Sequence, residues 1–292
     1  MPSTSRSDNR IEAKFRELQS HGEGALIAYL TGGDPDPKAF LVNSTALIEG
    51  GADIVEVGIP FSDPIADGPV IQASSMRALS RGATPVGILG LIRELSSQFP
   101  VPFVVMSYYN PILAMGLDRF LKRTRESGVD GIVVPDLPVE ESEEFRNLAL
   151  KHNIDNIYLA ALNTSPARLR TILDKSKGFV YLVSLFGVTG PRDSLSPQVL
   201  DAVKTVKSMA SGRIPVSAGF GISKPEHVSS VIQSGADGAI VGSALVGIVG
   251  RHLEDPDRGA EELQRTVREL KRATKKFRSD TTLRPRIKTP PI

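Results

Sequence analysis

The chain has 292 residues and is 40% hydrophobic, and its 35 Lys and Arg against 33 Asp and Glu give a net charge of +2. This length fits a single large domain with a sizeable core. Cysteine is absent, which excludes disulfides, thiolate catalysis and Cys-ligated metals, and the four histidines have no metal-binding spacing, so we expect no metal site.

Eight apolar segments of similar length predict β-strands. They cover 24–31, 53–58, 102–107, 130–135, 156–162, 178–184, 214–218 and 237–241. Three segments that lead into predicted strands have echoing, similar sequences: EGGADIVEVG (49–58), ESGVDGIVVP (126–135) and QSGADGAIVG (233–242). In each, a glycine ends a helix and an aspartate precedes the apolar run.

Helical patterns separate these strands. They occupy 41–50, 70–79, 86–99, 139–152, 165–176, 196–209, 224–235 and 259–274. Because strands that are apolar on both faces alternate with helices, we predict a parallel sheet. Eight units in ~250 residues favour a single (β/α)₈ TIM barrel over an open doubly wound sheet. We expect extra short helices, including one directly after the eighth strand.

We place the barrel at 15–275, after a disordered or partly helical lead (1–14) and before a basic, Pro-rich tail (276–292). From residue 265 onward the chain has ten Lys or Arg and two Asp or Glu. This excess is typical of an arm for nucleic acid or an acidic partner, or of a solvated helix with a frayed tail. Few aromatic residues interleave with these charges, so we favour the second reading and expect no nucleic acid partner.

No apolar run reaches the ~18 residues of a membrane span, and the first ten residues lack the apolar region of a secretory signal. We therefore expect a cytoplasmic protein that does not enter a membrane.

In such a barrel the chemistry lies at the carboxyl ends of the strands, where Glu56 interrupts an apolar strand. Alternation places Glu56 on the same side as Ile54. If both face the interior, apolar surroundings raise the pKa of Glu56 and let it give and take protons; the alternative is a structural ion pair. Asp67, in the following loop, is either a second catalytic carboxylate or a helix cap. Asp63 is either a third carboxylate or a turn residue.

Glycine-rich loops follow the seventh and eighth predicted strands, at AGFGIS (218–223) and VGSALVGIVG (241–250). Glycines let backbone N–H groups approach a ligand, and a helix that starts at Ser243 offers its N-terminus to an anion. These loops predict a phosphate site, the alternative being tight turns only.

Two other loops qualify as functional. The loop 184–196, with hinge residues Gly187, Gly190 and Pro191, is either a lid over the substrate or a flexible surface loop. Tyr108 and Tyr109 follow the third strand and either line a pocket for a flat ring or stack on a protein partner.

The segment GADIVEVGIPFSDPIADGPVIQ (51–72) resembles the signature of the tryptophan synthase alpha subunit family. Six further segments resemble that family's loops in the same order, and the resemblance runs from about Gly24 to Arg272. They are YLTGGDP (29–35), YYNPILAMG (108–116), PDLPVEE (135–141), SLFGVTG (184–190), GFGIS (219–223) and VGSA (241–244).

The resemblance implies retro-aldol cleavage of indole-3-glycerol phosphate to indole and glyceraldehyde 3-phosphate. Glu56 would be the acid/base on the ring carbon and the glycerol hydroxyl, and Asp67 would bind the indole N–H. The remaining implied roles are phosphate binding by Gly190, Phe220, Gly221, Gly242 and Ser243, an indole pocket lined by Tyr29 and Tyr108, and loop closure through Thr189. Tyr29 stands where other members carry Phe, and Leu185 where some carry Arg.

The resemblance also implies an α₂β₂ complex with a beta subunit. That partner would take indole through an internal channel and join it to serine for L-tryptophan biosynthesis. No metal or organic cofactor is expected in this chain, while pyridoxal phosphate is expected in the beta partner.

Three alternatives stay open at the level of sequence. The chain could be a free-standing indole-3-glycerol phosphate lyase, or another phosphate-handling barrel such as a sugar-phosphate isomerase or indole-3-glycerol phosphate synthase. It could also be a non-catalytic, phosphate-binding activator of the beta subunit, although the presence of both Glu56 and Asp67 argues against that.

Overall fold

The computed structural model describes residues 9–183 and 195–276, which contain nine parallel strands in one sheet. The strands are β1 (Ala25–Thr31), β2 (Ile54–Gly58), β3 (Phe103–Met106), β4 (Gly131–Val133), β5 (Asp155–Ile157), β6 (Leu159–Ala161), β7 (Val180–Val183), β8 (Val216–Gly219) and β9 (Gly238–Val241).

The barrel closes through a strand that is interrupted at Tyr158. The sheet order is β5-β4-β3-β2-β1-β9-β8-β7-β6, so β5 and β6 lie at its two ends, yet only Tyr158 separates them in the chain. The Tyr158 carbonyl accepts a hydrogen bond from the backbone N–H of Tyr181 at 3.1 Å. The fifth predicted strand (156–162) is therefore two short strands, and the predicted (β/α)₈ barrel is confirmed with this one correction.

The described part of the chain contains twelve helices, most of them on the outside of the barrel. They are α1 (Arg10–Ser20), α2 (Pro37–Gly50), α3 (Pro69–Ser80), α4 (Pro85–Gln98), α5 (Tyr109–Met115), α6 (Leu117–Glu126), α7 (Glu143–Lys151), α8 (Pro166–Lys175), α9 (Pro197–Ala210), α10 (Pro225–Gln233), α11 (Ser243–Arg251) and α12 (Pro256–Arg272). Among the described helices, none is long and apolar enough to cross a bilayer.

Three of these helices are not among the helical patterns read from the sequence. α5 and α6 fill the connection after β3, and α1 crosses the boundary drawn at residue 15. The short helix expected after the eighth predicted strand is present as α11, which begins at Ser243.

Helix α1 closes the amino-terminal end of the barrel. Its buried Ile11 and Phe15 belong to one apolar cluster with side chains from seven strands or strand entries. The members from the barrel wall are Ala25, Ile27, Ile54, Val104, Val133, Ile157, Phe179 and Ile240. Since side chains alternate along a strand, the residues two positions further on also face the interior, at the opposite, carboxyl end.

The three echoing segments share one structural role at the amino-terminal end. In each, the aspartate accepts a hydrogen bond from the backbone of the neighbouring strand: Asp53 from Leu26 at 2.7 Å, Asp130 from Phe103 at 3.1 Å, and Asp237 from Val216 at 2.8 Å. Each also pairs with a cation, in turn Lys271, Arg10 and Lys207. The repeat therefore fastens adjacent strands to one another and to the surrounding helices.

Candidate active site

Glu56 lies inside the barrel near the carboxyl end of β2. Ile54 belongs to the interior cluster, and Glu56 two residues later is 0% exposed. Neither carboxyl oxygen has a hydrogen-bond partner among the residues that the structure describes. Burial and, secondarily, the charge of Asp67 raise the pKa of Glu56 to about 8. The carboxyl is therefore neutral at pH 7 and has a proton to give.

Asp67 is held over the barrel mouth by the loop between β2 and α3. Its backbone N–H donates to the Pro64 carbonyl at 3.0 Å, and its own carbonyl accepts from the Gln72 side chain at 2.8 Å. Burial raises the pKa of Asp67 to about 6, and a hydrogen bond with Tyr108 opposes that rise. Asp67 is thus ionised near neutral pH while Glu56 stays protonated, which separates a charge-stabilising group from a proton donor.

Tyr108 fixes the loop that carries Asp67. Its hydroxyl accepts a hydrogen bond from the backbone N–H of Ala66 at 2.9 Å, and its ring lies 5.3 Å from that of Phe61, centroid to centroid. Asp63 in the same loop is exposed, and the hydroxyl of Ser62 donates to its carboxylate. This position agrees with a turn residue and not with a third carboxylate in the mouth.

Tyr29 lies next to Glu56 across the β1–β2 pair, where the two residues are register partners. The Tyr29 side chain is 5% exposed and extends over Gly58, where a Cβ would overlap its hydroxyl. On its other side, a Cβ at Gly242 would lie 3.5 Å from the Tyr29 ring. The ring therefore lies between the carboxyl end of β2, which carries Glu56, and the glycine loop that follows β9.

The glycine loops lie side by side because β8 and β9, the seventh and eighth predicted strands, are hydrogen-bonded neighbours. Phe220 is buried, while Gly221 is exposed and has φ +69°, a left-handed conformation that favours glycine. Helix α11 follows Gly242 directly, and no side chain caps its first turn within the described structure. Backbone N–H groups and the positive end of the α11 dipole thus lie together at the carboxyl ends of β8 and β9, an arrangement that suits the binding of an anion.

Tyr181 is a member of this site that the sequence reasoning missed. It follows the interior residue Phe179 by two positions, so its side chain also faces the barrel interior, close enough to Glu56 for the two groups to interact electrostatically. A Cβ at Gly219 would lie only 2.6 Å from the Tyr181 ring, so the glycine leaves room for the tyrosine. The available signal was the period of two that links Phe179 and Tyr181 in an otherwise apolar strand.

Two predicted site residues, Thr189 and Gly190, lie outside the described residues, as does most of the predicted lid (184–196). The structure brings the other predicted residues to one end of the barrel: Tyr29, Glu56, Asp67, Tyr108, Phe220, Gly221, Gly242 and Ser243. Within residues 9–183 and 195–276, no group of three or more His, Asp or Glu could hold a metal ion.

Comparison with known proteins gives the family. The sequence model of the tryptophan synthase alpha chain matches residues 15–275. The chain belongs to the tryptophan synthase alpha chain family. The alpha chain of Methanoregula boonei is 45% identical over 264 residues, which cover 90% of this chain and 98% of that one.

Solved structures agree with this membership. A structure of Mycobacterium tuberculosis tryptophan synthase has a TM-score of 0.84 at 34% identity and covers 92% of this chain and 99% of that chain. A structure described as the tryptophan synthase a2b2 complex of Pyrococcus furiosus has a TM-score of 0.78 at 43% identity, and covers 85% of this chain and 98% of that chain.

Proposed function

We propose that this alpha chain cleaves indole-3-glycerol phosphate to indole and glyceraldehyde 3-phosphate as one step of L-tryptophan biosynthesis. The observation that carries the proposal is Glu56, a fully buried carboxyl at the barrel mouth whose pKa is raised to about 8. Cleavage of the bond between the ring and the glycerol chain requires a protonated ring carbon, and a neutral carboxyl supplies that proton.

Glu56 serves as acid and base in one cycle. Its carboxyl protonates the ring carbon that bears the glycerol chain, which leaves positive charge on the ring. The resulting carboxylate takes the proton of the adjacent glycerol hydroxyl as the C–C bond breaks, and its electron pair restores the ring. The products are indole and an aldehyde, and Glu56 is again protonated.

Asp67 stabilises the positive charge on the ring by accepting a hydrogen bond from the indole N–H. Its ionisation near neutral pH suits this role, because a buried negative charge attracts the developing positive charge strongly. Tyr108 holds Asp67 in place and, together with Tyr29, lines the indole pocket.

The phosphate group occupies the opposite side of the mouth, at Phe220, Gly221, Gly242 and Ser243. The uncapped start of α11 and the left-handed Gly221 support this placement. Gly190 and Thr189 complete the phosphate site and the loop closure in the proposal, and both rest on family resemblance alone.

The chain works with a tryptophan synthase beta subunit in an α₂β₂ complex in the cytoplasm. The Pyrococcus furiosus relative, described as an a2b2 complex, supports this assembly. The alpha chain itself uses no cofactor, and pyridoxal phosphate belongs to the beta subunit.

The test is turnover of indole-3-glycerol phosphate by the purified chain with a beta subunit. Indole and glyceraldehyde 3-phosphate should form in equal amounts. Binding of glyceraldehyde 3-phosphate without turnover in the presence of any beta subunit would instead support a non-catalytic activator.

A further inference from the structure

Three buried hydroxyl groups form a chain from the active site to α3. Tyr29 and Thr31 are 5% and 1% exposed on β1, and Ser74 is 0% exposed on α3. The Tyr29 and Thr31 oxygens lie 3.5 Å apart, and the Thr31 and Ser74 oxygens lie 2.6 Å apart. The Ser74 hydroxyl lies 2.7 Å from the Ile71 carbonyl.

The direction of these hydrogen bonds follows from counting protons. A carbonyl oxygen only accepts, so Ser74 donates its single proton to Ile71. Thr31 must then donate to Ser74, because the proton of Ser74 is already used. By the same reasoning Tyr29 can only donate to Thr31, and because 3.5 Å is longer than the usual O–H···O distance of about 3 Å or less, this contact orients the Tyr29 proton only weakly. The orientation leaves the Tyr29 oxygen as an acceptor on the side of the active site.

The Tyr108 hydroxyl has the opposite hydrogen-bonding direction: it donates on the side of the active site. It accepts from the Ala66 N–H and therefore directs its proton at the Asp67 carboxylate. Thr31 orients the Tyr29 proton away from Asp67, which already has a hydrogen bond with Tyr108. Among the described residues no group donates to the Tyr29 oxygen, which extends over Gly58, two residues beyond Glu56 on β2.

We propose that the Tyr29 oxygen accepts a hydrogen bond from an O–H or N–H group of the substrate and that the Thr31–Ser74 chain favours this acceptor state. This inference rests on the proposed function, in which the substrate offers the ring N–H and the hydroxyls of the glycerol chain. Tyr29 then discriminates in favour of substrates that carry a donor at this point, because a buried acceptor left unpaired costs affinity.

Tyr29→Phe tests the contact itself, with Tyr158→Phe as its matched control. Tyr158 is also a buried tyrosine with a hydroxyl partner, Ser142 at 2.6 Å, and the inward side chains of its neighbours Ile157 and Leu159 place it on the other side of the strand. Tyr29→Phe should lower kcat/KM for indole-3-glycerol phosphate about tenfold, the effect of one lost hydrogen bond. Tyr158→Phe should change it less than twofold.

A substrate analogue without the two chain hydroxyls identifies the donor. If Tyr29→Phe weakens the substrate but leaves the inhibition constant of the analogue unchanged, the donor is a chain hydroxyl. If both weaken equally, the donor is the ring N–H. If Tyr29→Phe changes neither kcat/KM for the substrate nor the inhibition constant of the analogue by more than twofold, while the wild-type chain cleaves the substrate, the proposal is overturned. Failure of the wild-type chain to cleave the substrate would count against the proposed function instead.

Thr31→Val tests whether the Tyr29 hydroxyl acts as an acceptor rather than a donor. It removes the acceptor of the Tyr29 proton without a change of side-chain shape, so Tyr29 becomes free to donate. The variant should lose more than twofold in kcat/KM but no more than Tyr29→Phe, and the double variant should lose no more than Tyr29→Phe alone. Full additivity of the two losses would show that Thr31 acts independently of the Tyr29 hydroxyl and would overturn the acceptor assignment.

Discussion

The carboxyl of Glu56 and the carboxylate of Asp67 are electrostatically coupled although eleven positions separate them in the chain. Burial is the larger cause of the raised pKa of Glu56, and the negative charge of Asp67 is the second. The loop after β2 therefore does more than add a second functional group. It helps to keep the first one protonated at neutral pH.

Asp67→Asn should lower the pKa of Glu56 below about 8, because it removes a charge that disfavours ionisation. A carboxyl is neutral below its pKa, so the range over which Glu56 can donate should end at lower pH in the variant. NMR titration of side-chain-labelled Glu56 measures this directly without turnover. An unchanged or higher midpoint would contradict the coupling.

Glu56→Gln should lower kcat at least about 100-fold while substrate still binds, because Gln keeps the size of the side chain but carries no transferable proton. Binding is measured by calorimetry, since cleavage no longer competes. The exposed Glu94 on α4 offers the control Glu94→Gln, which should leave kcat unchanged. Near-full activity of Glu56→Gln would refute the acid/base role.

The same substitution should stabilise the fold. The folded pKa of Glu56 is raised from 4.5 to about 8, so the folded state holds a proton that the unfolded chain releases above pH 4.5. Glu56 therefore costs stability that grows as pH rises from 4.5 towards 8. At pH 7 the cost is at most about 3 kcal/mol. Urea denaturation should show Glu56→Gln more stable than wild type at pH 7, with the gap closing near pH 4.5; a gap independent of pH would contradict this origin.

Tyr108→Phe should raise the pKa of Asp67 above about 6, because the hydrogen bond that opposes the effect of burial is lost. The acidic limb of the pH–rate profile should move to higher pH, and kcat/KM should fall about tenfold. The shift separates this role from general loosening of the loop, which would lower the rate at every pH without moving the limb.

Substitutions at the amino-terminal end of the barrel should lower stability and leave catalysis nearly unchanged. Asp130 binds Arg10 at 2.9 Å and the Phe103 N–H at 3.1 Å, far along the strands from Glu56. Asp130→Asn should lower the free energy of unfolding by roughly 1–2 kcal/mol and leave kcat within twofold. A loss of kcat without a loss of stability would contradict this division between the two ends.

Much of this arrangement was predictable from local patterns. Eight apolar segments separated by helices predicted the barrel, and one charged residue within such a segment marked Glu56. The barrel rule then placed Asp67 and the glycine loops at the same end, because all parallel strands end there. These inferences need only the order of elements along the chain.

Features that depend on which strands become neighbours were not predictable in the same way. The hydroxyl chain joins Tyr29 to Ser74 across two elements, and Gly219 shows its purpose only once Tyr181 is known to lie against it. The break at Tyr158 also escapes local patterns, since an apolar run gives no sign that its pairing changes from β4 to β7.

The most direct test of the central claim is indole release from indole-3-glycerol phosphate by wild type and Glu56→Gln, each with and without a beta subunit. We expect wild type to release indole, a beta subunit to accelerate that release, and Glu56→Gln to be at least about 100-fold slower in both cases. High turnover by the isolated chain that a beta subunit does not change would indicate a free-standing lyase. No indole from wild type under either condition would contradict the account.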